Sequence, residues 1–293
     1  MNSTSTVVVT RRSKSLADRG RELLGRFGVH LFLAGFGIIF ALPLYWLFMS
    51  SLKEQSEIFK VPPDLWPVNP RWMNFPDVLE VIPFWTYLGN SFALVVWSTI
   101  GALISNTFIA YGFARLNWPY RDQVFILVLA TMMLPFQVRM IPMYIAFHQI
   151  GWLNTLLPLI VPSFFGNAFY IFLLRQFYRT IPMDLSDAAR VDGANELQIF
   201  WSVVLPLMKP AITTLVLFEV IFTWNDFIGP LIYLRDNDRY TLSIGLRTFF
   251  TLYGARWDLL MACSTMFTLP MVIMFFFGQR RFIEGITLTG IKG

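Results

Sequence analysis

Residues equipped for chemistry are scarce in this chain, and their spacing excludes most reactions. One cysteine, Cys263, and two histidines, His30 and His148, are spread over 293 residues. No disulfide framework, multi-cysteine metal site or histidine-based hydrolase can be assembled from them. Neither a metal nor a cofactor is expected. The nearest approach to a phosphate-binding loop is Gly20-Arg21-Glu22-Leu23-Leu24-Gly25-Arg26-Phe27. It lacks the Lys-Ser/Thr pair that holds phosphate and magnesium, and it follows no strand. His148, beside Trp152, reads as an interfacial group, as does His30, and Cys263 reads as a small buried apolar side chain. What remains are polar residues set inside long apolar runs, chiefly Arg139, Glu219, Asn225 and Asp226. A charge in hydrocarbon is costly and marks a functional position by default.

The runs that carry these residues are membrane-length. Apolar residues make up 56% of the chain and charged ones only 14%, against about 25% charged in soluble domains. About 20 apolar residues cross the hydrocarbon core. Six stretches qualify, at 29–49, 88–110, 124–147, 155–177, 211–234 and 259–277. The first is too long for a signal-peptide core and runs on through Tyr45-Trp46-Leu47-Phe48, so it reads as an uncleaved anchor. The fold class is therefore all-α and polytopic: a basic arm over 1–28, a six-helix membrane domain over 29–279 and a tail over 280–293.

Lys and Arg orient these spans. Fifteen fall on the side of the N-terminal arm, seven on the other, and Arg139 lies within the third stretch. That asymmetry predicts both termini in the cytoplasm. It also explains the net charge of +5, so no nucleic-acid partner is expected. The arginines of the arm suit anionic lipid headgroups, although a plain topology signal is the preferred reading. The outer loop over 51–84 holds Pro62, Pro63, Pro67, Pro70, Pro76 and Pro83, with Trp66 and Trp72 suited to the membrane interface. It reads as a lid on the outer surface.

The segment 181–210 on the cytoplasmic side is too regular for a linker. Pro182 suits a helix start. Asp184 and Asp187 stand where a helix dipole favours acids. Leu185, Ala188 and Ala189 share one face at helical spacing. Gly193 sits where a helix ends left-handed. Asn195 and Gln198 have capping-box spacing, and Leu197, Phe200, Val203 and Val204 continue the periodicity. The segment predicts a helix–glycine–helix knob whose small residues admit another backbone. A surface hairpin lying on the membrane is the plainer alternative.

The run Asp187-Ala188-Ala189-Arg190-Val191-Asp192-Gly193-Ala194, followed by Leu205-Pro206-Leu207 and Pro210, resembles the EAA motif of ABC-importer permeases. Asp187 departs from the motif's Glu, keeping the charge on a shorter arm. Asn90-Ser91, Tyr111-Gly112-Phe113-Ala114-Arg115, Trp224-Asn225-Asp226-Phe227 and the ending from Gln279 to Gly293 resemble the carbohydrate-uptake subfamily, in particular the second permease subunit of maltose-type transporters. The resemblance implies a type I importer permease in a bacterial or archaeal inner membrane. It implies no catalysis by this chain. The expected partners are a second homologous permease, a dimer of a cytoplasmic ABC ATPase and an extracytoplasmic sugar-binding protein. The cargo would be a di- or oligosaccharide of trehalose or maltose type. Asp187, Ala188, Ala189, Asp192, Gly193 and Ala194 would dock on the ATPase, and Gly290, Ile291, Lys292 and Gly293 would reach it as well.

With a sugar as cargo, planar amides, carboxylates and aromatic faces become candidate pathway residues. Gln137, Asn167, Tyr170, Trp224 and Asn225 have that chemistry, although Asn and Tyr also join membrane helices by hydrogen bonds. Glu219 lies about eight residues into the fifth stretch, roughly 12 Å deep, and Asn225 and Asp226 about 9–10 Å further along. Arg139 lies at a depth similar to that of Asp226, and a pair between the two would line or latch the outer part of the pathway or, as the plainer alternative, only hold helices together. A secondary transporter driven by an ion gradient would also use Glu219 but would not need the knob.

Overall fold

The computed structural model describes residues 16–251 and 254–290, with side chains over 25–250 and 254–278. Helices dominate. α1 (Leu16–Ser51) is followed by two short helices of the proline-rich loop, α2 (Gln55–Ile58) and α3 (Asn74–Val81), and then by α4 (Phe84–Arg115). α5 (Arg121–Ala130), a 3-10 turn over Thr131–Met133 and α6 (Phe136–Gln149) come next. α7 (Leu157–Ile160) leads through a 3-10 segment, Val161–Phe165, to α8 (Ala168–Tyr178). The polar segment holds α9 (Asp184–Val191), α10 (Glu196–Gln198), a π-helical turn over Ile199–Val204 and α11 (Leu205–Leu207). α12 (Lys209–Asn225), α13 (Ile228–Tyr233), α14 (Leu242–Gly245) and α15 (Trp257–Gly290) complete the chain. One antiparallel pair, β1 (Phe250–Thr251) with β2 (Gly254–Ala255), precedes α15.

Among the described residues, four helical stretches are long and apolar enough to cross a membrane: Gly25–Ser51, Phe84–Arg115, Leu157–Tyr178 and Trp257–Gly278. Two further candidates are bent pairs, Arg121–Met133 with Phe136–Gln149 at 96° and Glu196–Leu207 with Lys209–Asn225 at 78°. The number is six if each bent pair makes one span.

Sequence periodicity predicts uninterrupted helices over 124–147 and 211–234, and the structure breaks both. Pro135 has no N–H to donate and forces Leu134 into an extended conformation (φ −82°, ψ 109°). Asp226 also leaves the helix (ψ 117°), and its Oδ1 accepts from the Gly229 N–H at 3.0 Å, starting α13. A third break falls within 155–177. Gly166 takes φ +88°, a conformation open to glycine at little cost. Asn167 then caps α8, its Oδ1 accepting from the Phe169 N–H at 2.9 Å.

Irregular backbone at membrane depth survives only where protein satisfies it, and α4 does so here. The fully buried Asn106 accepts the Asn167 N–H at 2.7 Å. Ser105 Oγ donates to Ser163 O at 2.8 Å. Gly101 lies so close to Ser163 and Phe164 that a Cβ would overlap both. Small residues of this kind let membrane helices approach closely. α4 also runs through both apolar cores. One holds Tyr111, Tyr178, Phe200 and Leu215, near the polar segment. The other holds Tyr87, Trp224, Leu242 and Leu259. α1 stands outside them and packs along α15.

The proline-rich loop is held down by its polar groups. Asn74 Nδ2 donates to Ser51 O and Lys53 O, both at 2.9 Å. Lys53 Nζ donates to Asp64 O at 2.6 Å and sits 4.4 Å from the Trp46 ring centroid.

Replacing Asn106 by Ala removes the acceptor of the Asn167 N–H. The substitution is expected to cost about 1–3 kcal/mol, seen as a lower thermal midpoint of the detergent-purified protein. An unchanged midpoint contradicts the role given to Asn106.

Candidate functional site

The polar segment folds into the helix–glycine–helix knob. Asp184 and Asp187 occupy the first turn of α9. At the turn Gly193 takes φ +86°, and its N–H donates to Arg190 O at 3.0 Å. Asn195 then opens α10 with a full capping box: its Oδ1 accepts from the Gln198 N–H at 2.9 Å, and its own N–H donates to Gln198 Oε1 at 2.8 Å.

On α9 Leu185 and Ala188 are exposed, Ala189 is half-buried and Ser186 is buried. The cause is Arg115, at the end of α4 and only 5% exposed. Its guanidinium donates to Ser186 Oγ at 2.7 Å, Ile181 O at 2.7 Å and Pro182 O at 3.1 Å. Satisfying this buried charge outweighs the burial of Leu185. In the second half Ile199, Phe200 and Val204 are buried, and Leu197 is exposed. The knob thus presents Met183, Leu185, Val191 and Leu197 outward, Val191 at 88% exposure.

A second chain of contacts crosses the glycine turn. Arg190 donates to Asp187 Oδ1 at 2.6 Å and to Glu196 Oε1 at 2.8 Å. Tyr111 of α4 donates to Glu196 Oε2 at 3.0 Å. The hydrogen bond from Arg190 is the main reason the Glu196 carboxyl lies below its ordinary pKa, against the opposing pull of desolvation. The same bond raises Arg190. Asp192 and Ala194 belong to the turn itself: the Asp192 N–H donates to Ala188 O and the Ala194 N–H to Ala189 O. Arg175 braces the helices beneath, donating to Phe113 O at 3.2 Å and Asp122 Oδ1 at 2.8 Å and stacking 4.0 Å from the Phe125 ring centroid. Sequence reasoning did not single out Arg115, Tyr111, Arg190 or Glu196 as site residues. Only the spacing of Asp187 and Arg190, three apart on a helix, is a local signal. Gly290 ends α15, and Ile291, Lys292 and Gly293 lie outside the described residues.

The polar membrane residues meet in a cavity of ≈ 1120 Å³ lined from α8, α12 and the α12–α13 break. Asn167, Tyr170, Glu219, Asn225 and Asp226 all line it. Thr223 joins them, its Oγ1 donating to Glu219 Oε1 at 3.3 Å. Trp224 does not. It is 2% exposed in the core, and its Nε1 donates to Phe267 O of α15 at 3.2 Å. Spacings of four and three place 219, 223 and 226 on one face, with 224 turned away. Gln137 and Arg139 are exposed on α6 and lie outside the lining, although their neighbour Phe136 belongs to it. A pair between Arg139 and Asp226 is not formed among the described residues. Asp226 is engaged instead by the N–H groups of Ile228 and Gly229.

Residues 106–287 match the family described as "Binding-protein-dependent transport system inner membrane component". The chain is 33% identical over 276 residues to the arabinooligosaccharides transport system permease protein AraQ of Bacillus subtilis, covering 92% of this chain and 96% of the relative. It is 30% identical over 279 residues to the diacetylchitobiose uptake system permease protein DasC of Streptomyces coelicolor, covering 93% and 99%. The sn-glycerol-3-phosphate transport system permease protein UgpE of Yersinia pestis is 30% identical over 257 residues, covering 85% and 91%. In fold the chain is similar, at a TM-score of 0.75 and 24% identity, to a chain of a bacterial ABC transporter involved in the import of the acidic polysaccharide alginate, covering 92% of this chain and 99% of that one. The chain therefore belongs to the binding-protein-dependent transport system inner-membrane components, and it is a permease component rather than an enzyme.

Proposed function

We propose that this chain is one of two unlike permease subunits of an ATP-driven importer for a di- or oligosaccharide. The observation that carries the proposal is the knob: a short apolar-tipped helix pair, exposed at its end and locked at its base to a membrane helix. The relatives named for arabinooligosaccharides and diacetylchitobiose support a saccharide cargo.

In this reading the bent pair α5–α6 is one span and α12 with α13 another, giving six, and both termini face the cytoplasm. A second homologous permease completes the pathway, and an extracytoplasmic binding protein delivers the sugar. Two copies of a cytoplasmic ATPase grip the knobs, here through Asp187, Ala188, Ala189, Asp192, Gly193 and Ala194, with the C-terminal Gly290, Ile291, Lys292 and Gly293 as a second contact. Closure of the ATPase dimer pushes the knob. Arg115 and the Asp187–Arg190–Glu196–Tyr111 chain pass that push to α4 and α8. Those helices carry one wall of the cavity, where Asn167, Tyr170, Glu219, Asn225 and Asp226 face the cargo. Small displacements become a switch of access because packed helices have discrete arrangements. An ion-gradient transporter would leave the knob without an occupant.

Gly193→Val places a β-branched residue at positive φ. ATP-driven uptake in proteoliposomes of the assembled transporter is expected to fall at least about tenfold, the result of misplacing a preorganised contact. Wild-type uptake would falsify the coupling role.

Single cysteines at Glu57 and Asp192, in a Cys263→Ala background, are expected to react with an impermeant maleimide from opposite sides of the membrane. Labelling from one side contradicts the topology.

The depressed Glu196 pKa fixes a pH direction. Its bonds contribute fully above the ordinary carboxylate value of about 4.3 and are lost as pH falls through the lower folded value. Amide exchange over 184–198, corrected for intrinsic rates, should hold steady from neutral pH down to about 4.3, quicken as pH falls below it and level off below the lower folded value. Glu196→Gln should remove the step, and an unaltered step in this variant assigns it elsewhere.

A further inference from the structure

We propose that the cavity of this chain is itself a saccharide subsite, and that its charge admits neutral and cationic sugars while rejecting phosphorylated and uronic ones. The inference rests on the permease reading and adds the cargo class to it.

At ≈ 1120 Å³ the cavity exceeds the range of about 300–1,000 Å³ usual for small-molecule pockets, which leaves room for several sugar rings. Phe169 and Phe218, with ring centroids 6.0 Å apart, line it and offer apolar cover for sugar C–H faces. The two amides leave directional groups free. Asn225 Nδ2 donates back to Ile221 O at 2.8 Å, so its Oδ1 has no protein partner among the described residues. Asn167 Oδ1 accepts from the Phe169 N–H, so its Nδ2 is likewise open. A sugar hydroxyl both donates and accepts, and it matches one of each.

Charge decides among sugars. Glu219 and Asp226 line the same cavity, and its described lining contains no Lys, Arg or His. Neither carboxylate forms an ion pair, with Arg139 or with any other described residue. Carboxylates accept from hydroxyls and from protonated amines. A phosphate or uronate would bring another negative charge into apolar surroundings, where weak screening strengthens repulsion. Isosteric amides remove the charge and keep the architecture: Gln at 219 still accepts from Thr223 Oγ1, and Asn at 226 still accepts from the Gly229 N–H.

The test is equilibrium binding to the assembled permease–ATPase complex in nanodiscs, without the binding protein. The probes are arabinotriose (neutral), a glucosamine trimer (cationic) and trigalacturonate (anionic). The wild-type complex is expected to bind the first two at least about tenfold more tightly than the third, as like-charge juxtaposition dictates. The Glu219→Gln/Asp226→Asn double variant should bring that ratio close to unity. Equal binding of trigalacturonate by the wild type, or an unchanged ratio in the double variant, overturns the charge rule. Binding of none of the three, with ATP-driven sugar uptake intact, overturns the subsite and leaves the permease reading standing. Absence of ATP-driven uptake of any saccharide overturns both.

Discussion

The structure depends on one buried guanidinium. Arg115 ends α4, and its donors reach carbonyls and a hydroxyl from the end of α8 through the first turn of α9. A positive charge is favoured where helices end and carbonyls lack partners, and here it satisfies the backbone that links membrane to knob. Removing such a charge would strand those acceptors away from water, and burying it unpaired would cost more still. The knob therefore has one position relative to α4. Tyr111, one turn earlier, repeats the fixation through Glu196. Two independent ties fix this loop to one membrane helix, as the proposed coupling requires.

The same helix governs the other end of the proposed mechanism. Asn106, Ser105 and Gly101 of α4 hold the broken backbone over 161–167 in place. That break orients Asn167 into the cavity, and the break at Asp226 does the same for the end of α12. Broken helices expose polar backbone, so they persist only where protein or a wet cavity meets it. Lever and cavity wall thus share a single rigid mast.

What could be read from sequence was local. The turn at Gly193 and the capping box from Asn195 to Gln198 involve neighbours three residues apart, and the chain carries their signals in plain order. The six apolar stretches were visible for the same reason. Their interruptions were not, because a hydropathy window averages over one proline or one aspartate. Leu134-Pro135 did carry a warning, since the residue before proline avoids the helical region. Helical phase alone separates Trp224 from Glu219 and Asp226. Contacts between distant residues left no trace: Tyr111 and Glu196 are 85 positions apart, and Arg115 and Ser186 are 71 apart.

The central claim is that knob and α4 move as one body. Spin labels at Val191, on the knob, and Trp97, on the exposed side of α4, measure this directly by pulsed dipolar spectroscopy in the assembled transporter. The account predicts one unchanged distance distribution in the nucleotide-free and ATP-trapped states. A shift of several ångströms between the two states, or a second population in either, contradicts it.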